Sequence, residues 1–579
     1  MNLEREYQKY KGLRDEMEQK VNWFANIRMI LFIIMIISFI LKYYYYPVLF
    51  QFVFVISLVL FIVMVIYHDK YFKIYNYYEK YVEIVHTYLD RKNGKWKNFL
   101  DKGEDFLGEN EVIFKDLDLL GDCSLFQYLS VCKTLGGREH LFKRLSNLEM
   151  DNQELKQSQD TILELAKNVS FDIRFQIALQ YYEGKKIHLE QNFSYLEKKM
   201  GIRKSDLIVG GMASFLSISF FLLGCFHVLS FSYFYGMFLF NLMMTSLYAF
   251  IFREEFQCLT QVISSYGRLR EVFICVIKEK FHSELMKKFG KRMEDGLGQI
   301  SKLNQMDGMN SLKNNLVSNL LFNGFGCLNL FLLYYFSKFL NQNLVSLKRG
   351  VEDVAEVEAL VSLATIGIVK KNCCMPRLSD KVELKFSSIQ HPLLDENVCV
   401  GNDFDGSAGV NLITGSNMGG KTSFLRMIGI NLILMNAGGF VCAKEFCSSY
   451  FKIFTSMRVL DNIERGISTF YGELLRIQGM VDYVDKGNML VLIDEIFKGT
   501  NYQDRMYGAR EVIKRLNTKK TITFITTHDF ELCGEPRVRN YHVQEEYDGD
   551  KIVFDYKIRK GKCTSTNARY LMKKLGIVE

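Results

Sequence analysis

Only 4 prolines occur in the 579 residues, and only 2 tryptophans among an aromatic content of 14%. So few helix breakers favour long helices and argue against a loop-rich all-β architecture. The 13 cysteines show no CxxC spacing, and two of them, Cys373 and Cys374, are adjacent. That pattern suits neither a disulfide framework nor a zinc site, and it reads as reduced thiols of a cytosolic body. The opening segment "MNLEREYQKYKGLRDEMEQK" is too densely charged for a cleavable signal peptide. Net charge is +8, a modest excess. It permits an anionic partner such as nucleic acid or a lipid headgroup, and it equally fits the lysine excess of a membrane protein's cytoplasmic face.

Charge is missing altogether from several long stretches. Tyr43 to Tyr67 is a run of 25 residues without a formal charge, enough to cross a bilayer as a helix. The run before it, "MILFIIMIISFIL" between Arg28 and Lys42, is shorter than the roughly 20 residues a span needs. Trp23, Phe24 and Tyr43–Tyr46 supply interfacial flanks, and Arg28 and Lys42 can extend toward the headgroups. A first span at about 23–43 follows, with a turn near Tyr46-Pro47. An interfacial amphipathic helix does not fit, because the run has no polar face.

Leu207 to Phe252 contains no Asp, Glu, Lys or Arg, which fits two further spans with a turn around His227–Ser232. Lys9, Lys11, Arg14, Lys70, Lys73, Arg203, Lys204 and Arg253 flank the outer ends of both hairpins. The positive-inside rule therefore puts the N-terminus and everything after the second hairpin in the cytoplasm. The expected location is the cell membrane, with about four spans and the lipid bilayer as a partner. A third apolar run, "FGCLNLFLLYYF" at 325–336, follows Asn315, Asn319 and Asn323. Their four-residue recurrence predicts a polar stripe on a soluble core helix.

Between the hairpins, leucine, phenylalanine and isoleucine return at helical spacing from Ser124 to Asn168. Gly136-Gly137 are expected to break one helix from the next, and Asp151 with Glu154 has capping-box spacing. Residues 255–367 read as further helix. Neither segment arranges a nucleophile, a metal cluster or paired acids.

From about Leu384 the pattern turns to short β-branched strands alternating with helices, as in a mostly parallel α/β sheet. "VNLITG" reads as a strand, Gly415 to Thr422 matches G-x-x-x-x-G-K-[ST], and "SFLRMIGINLIL" continues as a helix. That context is what a phosphate-binding loop requires: glycines turn amides inward and the helix start adds its positive dipole end. The cradle comprises Gly415, Ser416, Asn417, Met418, Gly419, Gly420, Lys421, Thr422 and Ser423. Lys421 would reach the terminal phosphates and Thr422 would hold Mg²⁺. In "MLVLIDEIFKGT" an apolar strand delivers Asp494, a second metal ligand, and Glu495, which would orient or deprotonate a water. "TITFITTHDF" ends on His528, placed to sense a γ-phosphate. The insertion before Asp494 carries Gly466, Ser468, Thr469 and Gly472 ahead of a helix. Such a loop suits the nucleotide of a second subunit and implies a homodimer around ATP.

Taken in order, "TGSNMGGKTSFLR", "GISTF", "LIDEI", "KGTNYQD" and "TTHDFEL" resemble the ATPase domain of the MutS family, a branch of the ABC ATPases. "QHPLL" and "VGND" upstream and "YKIRKGKCTSTNARYLMKKLGI" downstream are similar to its flanking strands and final helix, so the likeness is dense over about 384–579. A fainter one covers 119–167. With the hairpins read above, the resemblance implies a multidomain α and α/β protein: transmembrane hairpins from the uncharged runs, and, from the family, an all-α core and lever region and a C-terminal P-loop ATPase domain with a mixed, mostly parallel sheet. It implies ATP and Mg²⁺, Ser468 as a signature serine acting across a dimer, Glu495 and His528 as catalytic groups, and DNA as ligand.

The expected order is a cytoplasmic helix at 1–22, a membrane hairpin at 23–67, a connector at 68–118 and helical core at 119–203. A second hairpin at 204–252, further core and lever at 253–367, and the ATPase domain at 384–579 complete it. Ser416, Gln390 and Cys399 depart from the family's usual Pro, Arg and adenine-stacking aromatic. Residues 1–118 hold a charged helix and a membrane hairpin where the family's mismatch-reading domain would stand, so a membrane-anchored variant lacking that domain is expected. The alternative is an ABC-type motor working on its own membrane helices or a membrane partner, without nucleic acid. A transporter fits least, since the span 207–252 offers no charged pathway.

Overall fold

The computed structural model describes residues 2–108, 112–146, 151–183, 204–416, 419–458, 469–548 and 551–563. It divides into two compact units: Met1–Cys132 with Arg138–Ile173 and Ala359–Glu579, and Lys133–Gly137 with Arg174–Glu358.

The first unit opens on two long antiparallel helices, α1 (Leu3–Leu41) and α2 (Pro47–Lys92). Asn2 caps α1 through its side chain, and Pro47 stands in the first turn of α2, where its missing N–H costs nothing. Aromatic pairs fix the register: Tyr10 stacks on Tyr81, Phe24 on Tyr71, and Phe32 and Phe39 meet Phe61 and Phe54. The helices run unbroken past 22 and past 67, so the expected N-terminal helix, hairpin and connector share two continuous rods. Apolar side chains between Met29 and Ile66 are largely exposed. Beyond the hairpin, Arg91 is buried and donates to the carbonyls of Tyr128 and Ser130, both at 2.7 Å. That fastens α2 to α4 (Leu125–Leu129), which follows the short α3 (Val112–Asp116).

The same unit holds two sheets. Four strands, β1 (Arg377–Leu378), β2 (Glu383–Ile389), β3 (Asn402–Ser407) and β5 (Glu445–Ser448), lie in the order β1-β5-β2-β3. The larger sheet uses β4 (Gly409–Thr414), β6 (Lys452–Ser456), β7 (Met489–Asp494), β8 (Thr521–Thr526), β9 (Val538–Asp548) and β10 (Lys551–Lys560). Its order is β10-β9-β4-β8-β7-β6, parallel throughout except for the β9–β10 hairpin. The mixed, mostly parallel sheet is therefore as expected. β4 and β8 are buried along their whole length, as central strands covered on both faces must be.

The second unit is helical. It contains α8 (Lys204–Cys225), α9 (Phe231–Ile251), α10 (Arg253–Lys278), α11 (Glu284–Asn314) and α12 (Leu316–Gly326). α13 (Leu328–Val369) contributes its residues up to Glu358 to this unit. Of the helices preceding α8 in the chain, α6 (Asn152–Lys167) belongs to the first unit, and α5 (Leu135–Leu145) and α7 (Val169–Glu183) have residues in both. Four helices, α1, α2, α8 and α9, are long and apolar enough to cross a membrane by length and composition.

Three local expectations are corrected. Gly136 and Gly137 do not separate helices; both sit in the first turn of α5, where a side chain on Gly137 would collide with Glu358. Asp151 is the N-cap of α6, yet its side chain makes no capping bond among the described residues. The run 325–336 is not one helix, because Cys327 adopts φ +49° and splits it. Nor do all three asparagines face solvent: Asn315 is exposed, but Asn323 is buried and occupied with Asn319 and Asn329.

Glu358 is fully enclosed, accepting from the amides of Lys133 (2.7 Å) and Thr134 (3.2 Å). Burial pushes its carboxyl up to about 7 against those bonds, which favour the charge. A carboxyl raised by folding contributes stability that is full below its unfolded value of about 4.3 and is lost as pH rises through the folded value. Glu358→Gln is expected to shrink the fall in unfolding temperature between about pH 5 and about pH 8. An undiminished fall, measured by scanning fluorimetry, contradicts this.

Candidate functional site

Three parallel strands end side by side, and the site grows from their ends. Register pairs Asp494 of β7 with Thr526 of β8, and Thr526 with Ile413 of β4. After β4 the chain turns through Gly415 at φ +131° and re-enters helix α14 (Lys421–Asn436) from Gly420 at φ +85°. Both conformations lie where side chains are strained, so the glycines of the motif are required by the backbone.

Lys421 is buried and folds over this loop, donating to the carbonyls of Gly415 (2.7 Å) and Ser416 (2.9 Å). Burial lowers its ammonium, while Glu495 and Asp494 act the other way. Thr422 donates to Asp494 Oδ2 at 2.7 Å, and Thr526 donates to Asp494 Oδ1 at 2.6 Å. Both carboxylate oxygens are thereby fixed by hydroxyls from neighbouring elements. Thr526 also receives the Glu495 amide, at 3.0 Å to its hydroxyl. Glu495 has φ +58° and Phe497 +54°, strained positions that turn the glutamate out of the strand line.

The Glu495 carboxylate lies 3.2 Å from His528 Nε2 and 2.7 Å from Lys498 Nζ. Burial would raise this acid, but Lys498, and after it His528, outweigh that and hold it below the ordinary range. His528 Nε2 is also 3.4 Å from Lys421 Nζ. One continuous group thus joins Lys421, His528, Glu495, Asp494 and Thr422, five residues expected from the sequence. Gly415, Ser416, Gly419 and Gly420 shape the loop, and Ser423 is exposed in the first turn of α14. Asn417, Met418 and Ser468 lie outside the described residues.

The loop suits a phosphate. Ser416 Oγ is buried without a hydrogen-bond partner among the described residues, and a side chain on Gly419 would strike Val543. An anion received by loop amides would give that hydroxyl its acceptor. Thr422 and Asp494 present two adjacent oxygens of the kind a hard divalent cation takes.

Other contributors were not singled out by motif. Thr526 was visible only as one of two threonines ahead of His528. Lys498 follows Glu495 by three positions, a signal that spacing alone offers. Glu473, on α15 (Thr469–Tyr483), is buried and accepts the Phe497 amide at 2.6 Å. It ties the helix beginning at Thr469 to the strained turn after Glu495. Asp116 is buried too, receiving the amides of Met457 (3.1 Å) and Arg458 (3.0 Å) and facing Arg476. Asp118 pairs with Arg426 of α14 and with Arg458. These two aspartates couple the start of the helical region to the phosphate-loop helix and to the exit of β6.

Residues 411–574 match the model of MutS domain V. That stretch is similar to domain V of the MutS family. Endonuclease MutS2 of Carboxydothermus hydrogenoformans is 30% identical over 255 residues, 42% of this chain and 32% of that protein. DNA mismatch repair protein MutS of Thermus aquaticus is 30% identical over 225 residues, covering 38% of this chain and 27% of the relative. The protein of the same name from Staphylococcus haemolyticus is 32% identical over 228 residues, 37% and 26% of the two chains. The chain therefore spans about a third or less of these relatives' lengths. The matched range includes Lys421, Thr422, Asp494, Glu495 and His528.

Glu473→Ala removes the acceptor of a buried amide. Hydrogen exchange at Phe497 is expected to quicken at least about tenfold, the equivalent of losing roughly 1.4 kcal/mol of local protection. Unchanged protection there contradicts the coupling.

Proposed function

We propose that this protein is a membrane-anchored, MutS-like ATPase that binds Mg²⁺-ATP, works as a homodimer through its domain V and transmits hydrolysis to its helical levers. The linked group of Lys421, Thr422, Asp494, Glu495 and His528 carries this reading. Lys421 is placed to leave its loop carbonyls for phosphate oxygens, and Thr422 and Asp494 would hold Mg²⁺, whose charge would offset that of the phosphates. Glu495, held ionised by Lys498 and His528, orients a water and accepts its proton. His528, touching both Glu495 and Lys421, links the state of the base to that of the loop. Ser468 would close the site of the opposite subunit.

The membrane reading rests on α1, α2, α8 and α9, whose apolar windows are largely exposed, and on basic residues at the outer ends of both hairpins. It places the N-terminus and domain V in the cytoplasm. DNA enters as ligand from the names of the relatives, which are mismatch repair proteins and an endonuclease. The four apolar helices favour a second reading, in which the levers act on the membrane helices or a membrane partner without nucleic acid.

Glu495→Gln in the detergent-purified full chain is expected to lower ATP turnover by about a hundredfold or more while ATP binding persists. Unchanged turnover contradicts the assignment of the base. Duplex DNA separates the two readings: stimulated turnover with salt-sensitive binding supports the first, and neither effect at low salt supports the second.

A further inference from the structure

The stretch from Asn314 to Ser337 contains no Asp, Glu, Lys or Arg. Within it α12 and α13 meet at an 86° bend, with Cys327 in the left-handed conformation between them. α12 packs against α8 and α9, the pair already assigned to the second hairpin. A side chain on Gly324 would collide with the Phe238 ring of α9, so that ring seats directly against the glycine. Phe325 completes the contact against Phe221, Phe234 and Phe238.

The broken helix end is supplied with partners by that hairpin. Asn241 donates to the Gly324 carbonyl at 2.8 Å, and Ser217 reaches the same oxygen at 3.3 Å. Asn323 accepts the Asn329 amide across the bend at 2.9 Å. Ser217, Asn241, Asn323 and Asn329 are all buried. In water such a helix end needs no side chains to satisfy it. In hydrocarbon, non-helical backbone survives only where protein covers and pairs it. The opposite face of α12 is apolar and open: Leu316 is 77% exposed and Val317 63%, with Leu320, Leu321 and Phe322 near half. It continues the exposed apolar surface of α8 and α9, which includes Phe215 and Met243.

We propose that Leu316–Gly326 is a membrane-embedded half-helix seated on the second hairpin, with its outer face in contact with lipid acyl chains. Its 11 residues rise about 16 Å, roughly half the hydrocarbon thickness, and the chain then turns sharply. Asn323, one of the asparagines that patterned like a solvent stripe, bridges this break, and Asn241 and Ser217 of the hairpin serve its carbonyl. This inference rests on the membrane reading of the hairpins and adds a fifth element to it.

The test uses the full chain carrying Trp23→Phe, whose remaining Trp96 emission is subtracted as background, reconstituted in phosphatidylcholine vesicles with or without bromine along the acyl chains. Phe322→Trp on α12 is compared with Phe215→Trp on the hairpin, and Leu320→Trp serves as a second reporter should the first not fold. Both positions are expected to lose at least about half their emission in brominated lipid and to resist aqueous acrylamide. Phe215→Trp quenched by bromine while the α12 reporters respond only to acrylamide, or to neither agent, overturns the half-helix and leaves the hairpin intact. Neither position quenched by bromine overturns the membrane reading and this inference together.

Discussion

The Asp494 carboxylate is the point on which the site depends. One oxygen takes the Thr422 hydroxyl from the helix after the phosphate loop, and the other takes the Thr526 hydroxyl from the adjacent strand. Hydrogen bonds to a charged acceptor contribute about 1.5–3 kcal/mol each, and here they also fix direction. Thr526 holds the Glu495 amide as well, so a single threonine aligns the two neighbouring acids. The positive φ of Glu495 is sustained by that anchorage on one side and by the Glu473–Phe497 bond on the other. A strained glutamate between two anchors is held in one direction.

From this centre, two polar connections lead outward. Glu473, on the helix beginning at Thr469, reaches the turn after Glu495. Asp116 and Asp118 reach Arg426, Arg458 and Arg476, tying the phosphate-loop helix to the segment between the first hairpin and the helical region. Asp116 is fully buried, so breaking its bonds leaves a charge without compensation. These are the contacts through which a change at the nucleotide would be felt beyond the sheet. In the second unit a different economy of polar groups operates, with Asn241, Asn323 and Ser217 serving a helix break among apolar side chains.

Much of this was legible in the chain before its fold was known. The strand–loop–helix around Lys421 and the apolar strand ending in Asp494-Glu495 are local patterns, and parallel register brings them together with His528. Hairpin positions followed from runs without charge. What escaped were long-range partners: nothing local marks Thr526 over Thr527, Glu473 or Asp116 as a clamp. Local rules also failed where tertiary contact overrode them. Gly136-Gly137 looked like a break but serve a close approach to Glu358, and four-residue spacing of asparagines looked like a wet face because periodicity cannot tell water from a buried polar seam.

Steady-state turnover by a Thr526→Val chain tests the central claim most directly, because this change leaves the loop lysine and both acids in place. The account predicts that Mg²⁺-dependent ATP hydrolysis by the full-length protein falls at least about tenfold, with nucleotide affinity within a few-fold of the parent. Turnover equal to the parent's would contradict the view that Asp494 and Glu495 act through the hydroxyl that aligns them.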